Sequence, residues 1–89
     1  GVLVVVHFKA DWCGPCRAMQ PVINQLAEQY EGRVIIGNLD VDENQESPFR
    51  YNIRNLPTIL IFRDGEIAER MTGYMSRYNI EEKIEEQIM

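Results

Sequence analysis

Two cysteines and one histidine are the residues whose types and spacing favour catalysis in this sequence. Cys13 and Cys16 lie three positions apart in the stretch HFKADWCGPC, with Gly14 and Pro15 between them. His7, the only histidine, lies six positions before Cys13. A thiolate is the nucleophile of disulfide exchange. Two thiols one helical turn apart can therefore react in succession: the first attacks a disulfide, and the second resolves the mixed disulfide.

A structural disulfide or half of a zinc site would also place two cysteines at this spacing. A disulfide that closes so short a loop stabilises a fold little in the loop-entropy model. Zinc takes four ligands, whereas this chain offers two cysteines and one histidine, so zinc would require a second chain. Because a C-x-x-C pair beside a βαβ pattern is typical of redox proteins, we expect dithiol chemistry without a metal or cofactor.

The pattern around the cysteines indicates the elements that position them. Val2 to Phe8 is a β-branched run typical of a buried strand. Apolar residues from Cys16 to Tyr30 follow helical spacing, with Pro21 expected to kink the helix. Cys13 then lies at a helix N-terminus, where free N–H groups and the helix dipole favour an anion and lower the pKa of a thiol. Pro15 suits the first helical turn, and Gly14 leaves the thiol open to another backbone.

The rest of the chain completes an α/β pattern of order β-α-β-α-β-β-α. We expect a strand over 34–41 and a short helix within 42–51 that Pro48 breaks. A strand TILIF follows Pro57, and a turn at Asp64-Gly65 leads to a returning strand over 66–72. The last helix is capped by Ser76 or Asn79 and buries Ile80, Ile84 and Ile88. Helical crossovers imply parallel pairing of the first strands, and the hairpin adds an antiparallel edge. We therefore predict one domain over 1–89, a mixed four-stranded sheet with helices on both faces.

Composition narrows the classes of function. The net charge is −5, and the Lys and Arg residues are scattered singly, which argues against nucleic-acid or anionic-membrane binding. The apolar start GVLVVV is too short for a signal sequence, and no run is long enough to span a membrane. We expect a cytoplasmic protein.

Several segments together resemble the thioredoxin family. WCGPC is similar to the family's active-site motif, RNLPTILIFRDGE to its proline-bearing loop, strand and turn, and NLDVDEN and MTGY to two further segments. The resemblance implies a thioredoxin-like minimal core and a dithiol-disulfide oxidoreductase, in which Cys13 attacks and Cys16 resolves. It implies a cis Pro57 that faces the cysteines. The groove for a substrate segment would be lined by Trp12, Leu56, Pro57, Gly73 and Tyr74, and Gly14 and Pro15 would also contact the substrate.

The resemblance also implies partners: protein disulfides as substrates, and a thioredoxin reductase or similar electron donor. The Gly-Pro pair between the cysteines favours a reductase active in redox homeostasis. A disulfide oxidase or isomerase in an oxidising compartment, or a non-catalytic binding module, remains as an alternative. From the residues alone, Pro57 is equally compatible with a trans bond, and Trp12 with simple packing.

Three departures from the family pattern affect these expectations. The usual first strand and helix are absent, so strand 34–41 should form a bare edge. We expect low stability for the family, or weak self-association through that edge. His7 stands where the family usually has a buried Asp, and Asn38 where it often has Lys. Lys9 replaces a residue that is usually aromatic.

Two roles are open for His7. Strand alternation places it with Leu3 and Val5, beneath Cys16 in a strand that leads to the active-site turn. It is either a neutral core histidine, hydrogen-bonded to a residue such as Asn38, or the proton acceptor of Cys16. For Lys9 and Asp42, which could meet near the site, we expect two solvated charges.

Overall fold

The computed structural model describes all 89 residues, and the order of its elements is the predicted one. The elements are β1 (Leu3–Lys9), α1 (Gly14–Gln29), β2 (Ile35–Asp40), α2 (Glu46–Arg50), β3 (Thr58–Arg63), β4 (Glu66–Thr72) and α3 (Arg77–Ile88). The Asp64-Gly65 turn joins β3 to β4 with φ of 52° and 85°, the left-handed backbone that a tight hairpin requires.

The strands form one mixed sheet of order β2-β1-β3-β4. β1 pairs parallel with β2, in a register that places His7 opposite Asn38. β1 pairs antiparallel with β3, and β3 with β4. The antiparallel part therefore begins at β3 and not only at the last hairpin, which corrects the expectation that both helical crossovers lead to parallel pairing.

α1 and α3 cover one face of the sheet and enclose the main core. Leu3 and Val5 of β1 and Ile59 and Ile61 of β3 point into this core. The helices contribute Met19, Ile23, Leu26, Ile80 and Ile84, all at most 1% exposed. Ile88 is 44% exposed, so the predicted buried stripe of α3 ends at Ile84. The Ser76 hydroxyl accepts the Asn79 N–H and caps α3.

Besides Pro15 at the start of α1, two further prolines lie within helices. α1 runs unbroken through Pro21 for 16 residues. Pro48 does not break α2 but is its third residue, in the first turn, where no backbone N–H is needed.

The other face of the sheet is only partly covered. Tyr51, which ends α2, packs edge-on against Phe62 with ring centroids 5.2 Å apart, so α2 lies on the side opposite α1 and α3. β2 is the edge strand at the other end of the sheet, as predicted for 34–41. Its residue Ile35 is 62% exposed.

Candidate active site

The cysteine pair lies where β1 ends and α1 begins. Cys13 is the N-cap of α1, with extended backbone angles, and is disulfide-bonded to Cys16. The backbone N–H of Cys16 donates to the Cys13 Sγ at an N···S distance of 3.2 Å. A sulfur at this position accepts one of the free N–H groups of the helix start, an arrangement that stabilises a thiolate.

The two cysteines differ in accessibility. The exposed fraction is 5% for Cys13 and 1% for Cys16. With Ala10 they form a small buried cluster, against which Val41 and Leu56 pack. Gly14 and Pro15 between them are exposed, so the surface beside Cys13 is open to another chain.

The proline loop and the glycine segment meet beside this cluster. The Leu56-Pro57 bond is cis, as the resemblance implies. The Gly73 N–H donates to the Pro57 carbonyl at 2.8 Å, and Gly73 has a φ of 85°, which glycine adopts without steric penalty. Tyr74 follows with 60% exposure. A backbone hydrogen bond thus joins the glycine segment to the proline loop, whose Leu56 packs against the cysteine cluster.

Trp12 is held by a contact that the sequence did not predict. Its ring is 69% exposed, and its indole N–H donates to Asp42 Oδ2 at 2.9 Å. A groove of about 410 Å³ runs beside it and is lined by Trp12, Val41, Pro48, Ile53, Arg54, Asn55 and Leu56. Lys9 forms no pair with Asp42; it contacts Asp11 at 3.1 Å and Asp40 at 3.8 Å.

His7 is fully buried on the face of the sheet that α1 covers. Its Nδ1 lies 2.9 Å from Asn38 Oδ1, and its Nε2 is the only buried side-chain nitrogen or oxygen without a hydrogen-bond partner. Burial lowers the pKa of His7 below its usual 6.5; the Asn38 hydrogen bond opposes this and the Lys9 charge adds to it. The ring is therefore held neutral at physiological pH.

Two further findings concern the zinc site and the membrane-spanning segment considered from the sequence. No group of three or more His, Cys, Asp or Glu side chains is arranged to hold a metal ion. No helix is both long enough and apolar enough to cross a membrane.

Comparison with known proteins decides the family. The family model described as Thioredoxin matches residues 2–86. The chain belongs to the thioredoxin family. A thioredoxin of Chlorobaculum thiosulfatiphilum is 47% identical over 85 residues, which cover 96% of this chain and 79% of that protein. A thioredoxin of Staphylococcus aureus is 37% identical over 84 residues, which cover 94% and 81%.

A solved structure confirms the thioredoxin-like fold. A mutant thioredoxin from Halobacterium salinarum superposes with a TM-score of 0.87 at 38% identity, over 94% of this chain and 73% of that one. Together with the Cys13–Cys16 pair, these relatives establish a dithiol-disulfide oxidoreductase that reduces protein disulfides. They do not favour the oxidase, isomerase or binding-module alternatives.

Proposed function

We propose that Cys13 is the attacking thiol and Cys16 the resolving thiol. The observation that carries this assignment is the Cys16 N–H donated to Cys13 Sγ at the start of α1. That hydrogen bond and the helix dipole stabilise negative charge on Cys13. Cys16 is almost fully buried, so it meets only a disulfide that Cys13 has already formed.

The proposed reaction has two exchange steps. The Cys13 thiolate attacks one sulfur of a substrate disulfide, forms a mixed disulfide and expels the other substrate sulfur as a thiolate. Cys16 then loses its proton and attacks the Cys13 sulfur, which forms the Cys13–Cys16 disulfide and expels the second substrate thiolate. Two electrons pass to the substrate, and the released thiolates take up protons from solvent.

His7 is the proposed acceptor of the Cys16 proton. Deprotonating a buried thiol is unfavourable because burial raises the pKa of the group that becomes charged. His7 lies on the face of the sheet beneath α1, is neutral, and has a buried Nε2 free to accept a proton. The transfer leaves an imidazolium beside a thiolate.

The substrate segment would bind across the surface around Cys13. Gly14 and Pro15 between the cysteines and Trp12 next to Cys13 are exposed, and Leu56 packs against the pair. Exposed Tyr74 follows Gly73, which is hydrogen-bonded to Pro57. Main-chain pairing near Leu56 suits an extended peptide. The cis Pro57 and Gly73 support this surface through the hydrogen bond that joins them.

The proposed partners are protein disulfides and a thioredoxin reductase or similar electron donor, in the cytoplasm, where a reductase can be kept reduced. The net charge of −5 supports neither nucleic-acid nor anionic-membrane binding. Weak self-association would use the open edge of β2, at which Ile35 is exposed.

Trapping of the mixed disulfide tests the roles of the two thiols. We expect Cys16→Ser to accumulate a covalent adduct with insulin or another protein that contains a disulfide. Cys13→Ser should form no adduct. Wild-type protein with dithiothreitol should reduce insulin, and neither variant should turn over. An adduct on Cys16 in the Cys13→Ser variant, with no adduct on Cys13 in the Cys16→Ser variant, would contradict the assignment.

A further inference from the structure

The hydrogen bond between His7 and Asn38 fixes more than the position of the ring. Nδ1 of His7 lies 2.9 Å from Asn38 Oδ1, and Nε2 has no partner although it is buried. We propose that Asn38 is a positioning residue that holds His7 in the Nδ1–H tautomer, so that the lone pair on Nε2 is free to accept the Cys16 proton. This inference rests on the role proposed above for His7.

The tautomer follows from what each atom can do. An amide oxygen only accepts hydrogen bonds, so Nδ1 must carry the proton that is shared with Asn38. A neutral imidazole has one N–H, which leaves Nε2 as the unprotonated nitrogen. When Nε2 takes a proton, Nδ1 still donates to Asn38, so the ring need not turn during the transfer.

The strand register explains why Asn38 can do this. His7 and Asn38 are direct partners in the parallel pair of β1 and β2, and both strands are fixed by their backbone hydrogen bonds. A buried polar atom without a hydrogen-bond partner destabilises a protein core, so its presence calls for an explanation such as a catalytic role. In the proposed role, the bare Nε2 is the functional atom, and Asn38 satisfies the other nitrogen.

The charged groups near the ring favour a neutral starting state. On β1, Lys9 lies two positions further along and opposes an imidazolium. Asp40 of β2 and Asp11 of the following turn pair with Lys9 and not with His7. Cys16 is a buried residue of α1, the helix that covers this face of the sheet, and the partner of His7 on β3 is the apolar Ile59. The thiolate of Cys16 is therefore the one charge whose formation would favour a positive ring.

Three substitutions at position 38 separate the possible roles of the amide. Asn38→Asp keeps an acceptor and should keep the Nδ1–H tautomer. Asn38→Leu removes the acceptor and should release the ring to a mixture of tautomers. Asn38→Lys offers only a donor, so Nδ1 must accept and Nε2 must carry the proton. Asn38→Asp is the matched control for the tautomer, because it alone retains an acceptor for the Nδ1–H. Its carboxylate raises the pKa of His7, so its spectrum is recorded at a pH above that pKa.

Nitrogen-15 NMR of the reduced protein reads the tautomer without reference to activity. His7 is the only histidine, so long-range proton–nitrogen correlations are unambiguous. At a pH where the ring is neutral in each protein, we expect an unprotonated Nε2 in the wild type and in Asn38→Asp, a mixture in Asn38→Leu, and a protonated Nε2 in Asn38→Lys. A wild-type ring that carries its proton on Nε2 would overturn the proposal, whatever His7 does in catalysis.

Stopped-flow kinetics of the mixed disulfide then tests the consequence. His7→Ala should slow its decay by about 100-fold, the usual contribution of a proton acceptor, without changing its formation. Asn38→Leu should slow the decay in proportion to the fraction of rings that keep a bare Nε2 in the NMR spectrum, since only that fraction is competent. The mixed disulfide of Asn38→Lys should decay as slowly as that of His7→Ala.

The outcomes distinguish the two proposals. If His7→Ala decays at the wild-type rate, the base role fails while the tautomer measurement still stands. If His7→Ala is slow but Asn38→Leu retains the wild-type rate despite a changed tautomer, the base role survives and the positioning role of Asn38 is wrong.

Discussion

The neutral state of His7 should be visible in how stability depends on pH. Burial lowers the pKa of this ring in the folded protein, whereas in the unfolded chain it titrates near 6.5. As the pH falls below 6.5, the unfolded chain therefore binds a proton that the folded protein does not. The stability that His7 contributes is complete above pH 6.5 and is lost as the pH falls toward the lowered value.

The size of this loss follows from proton linkage. One proton taken up on unfolding changes the free energy of unfolding by at most about 1.4 kcal/mol per pH unit. Between pH 6.5 and pH 5 the largest loss is about 2 kcal/mol, reached when the folded ring stays neutral throughout. A smaller shift would make the loss level off before pH 5.

Urea denaturation of the oxidised protein from pH 7.5 to pH 5 measures this loss, with His7→Gln as the comparison. Glutamine is similar in size, does not titrate, and has an amide N–H to donate to Asn38. The carboxylates are the same in both proteins, so their contribution cancels in the difference between the two curves. We expect the wild type to lose more stability than His7→Gln, by no more than about 2 kcal/mol. Parallel curves would show that the folded ring titrates normally, and His7 would then not be held neutral.

Three further predictions concern other parts of the molecule. Brief iodoacetamide treatment of the reduced protein at neutral pH should modify Cys13 at least about tenfold faster than Cys16, because only Cys13 has its thiolate stabilised at the helix start; mass spectrometry that finds mainly modified Cys16 would contradict this. The hydroxyl of buried Tyr30 donates to Glu85 at 2.6 Å. Burial, and after it the contact with Glu85, raises the pKa of Tyr30 to about 12. In urea titrations the wild type should therefore lose stability from pH 10 towards pH 12 more steeply than Tyr30→Phe. Sedimentation across a concentration series should show weak self-association that Ile35→Lys on the β2 edge abolishes, and a wild type that is monomeric at every concentration would refute it.

The order of the elements and the place of the cysteines could be predicted because local patterns determine them. A β-branched run, a C-x-x-C turn and a helical period in direct succession leave little choice for β1 and α1. The hydrogen bond between His7 and Asn38 could also be predicted, because pairing β1 with a parallel β2 of similar length places the two residues opposite each other. The cis bond before Pro57 followed only from the family resemblance, because the residues permit either isomer.

The strand directions were harder to predict because a crossover depends on tertiary packing. α2 has five residues and no buried side chain, so it does not return the chain across a face of the sheet as a βαβ helix does. β3 therefore pairs antiparallel with β1. The contact between Trp12 and Asp42 spans thirty positions between two loops, and no periodicity marks such a pair.

The choice of an imidazole as the proposed base has an electrostatic consequence for the resolving step. A carboxylate that deprotonates Cys16 would begin with its own negative charge near the site where the thiolate forms, whereas neutral His7 becomes positive as Cys16 becomes negative. In a buried site two opposite charges attract strongly, so the product of the transfer is an ion pair. An imidazolium cannot accept a proton, however, so decay of the mixed disulfide should slow as the pH falls through the pKa of His7. The low pKa that burial gives this ring extends the working range of the enzyme to more acidic pH, and Asn38 keeps the accepting nitrogen available across that range.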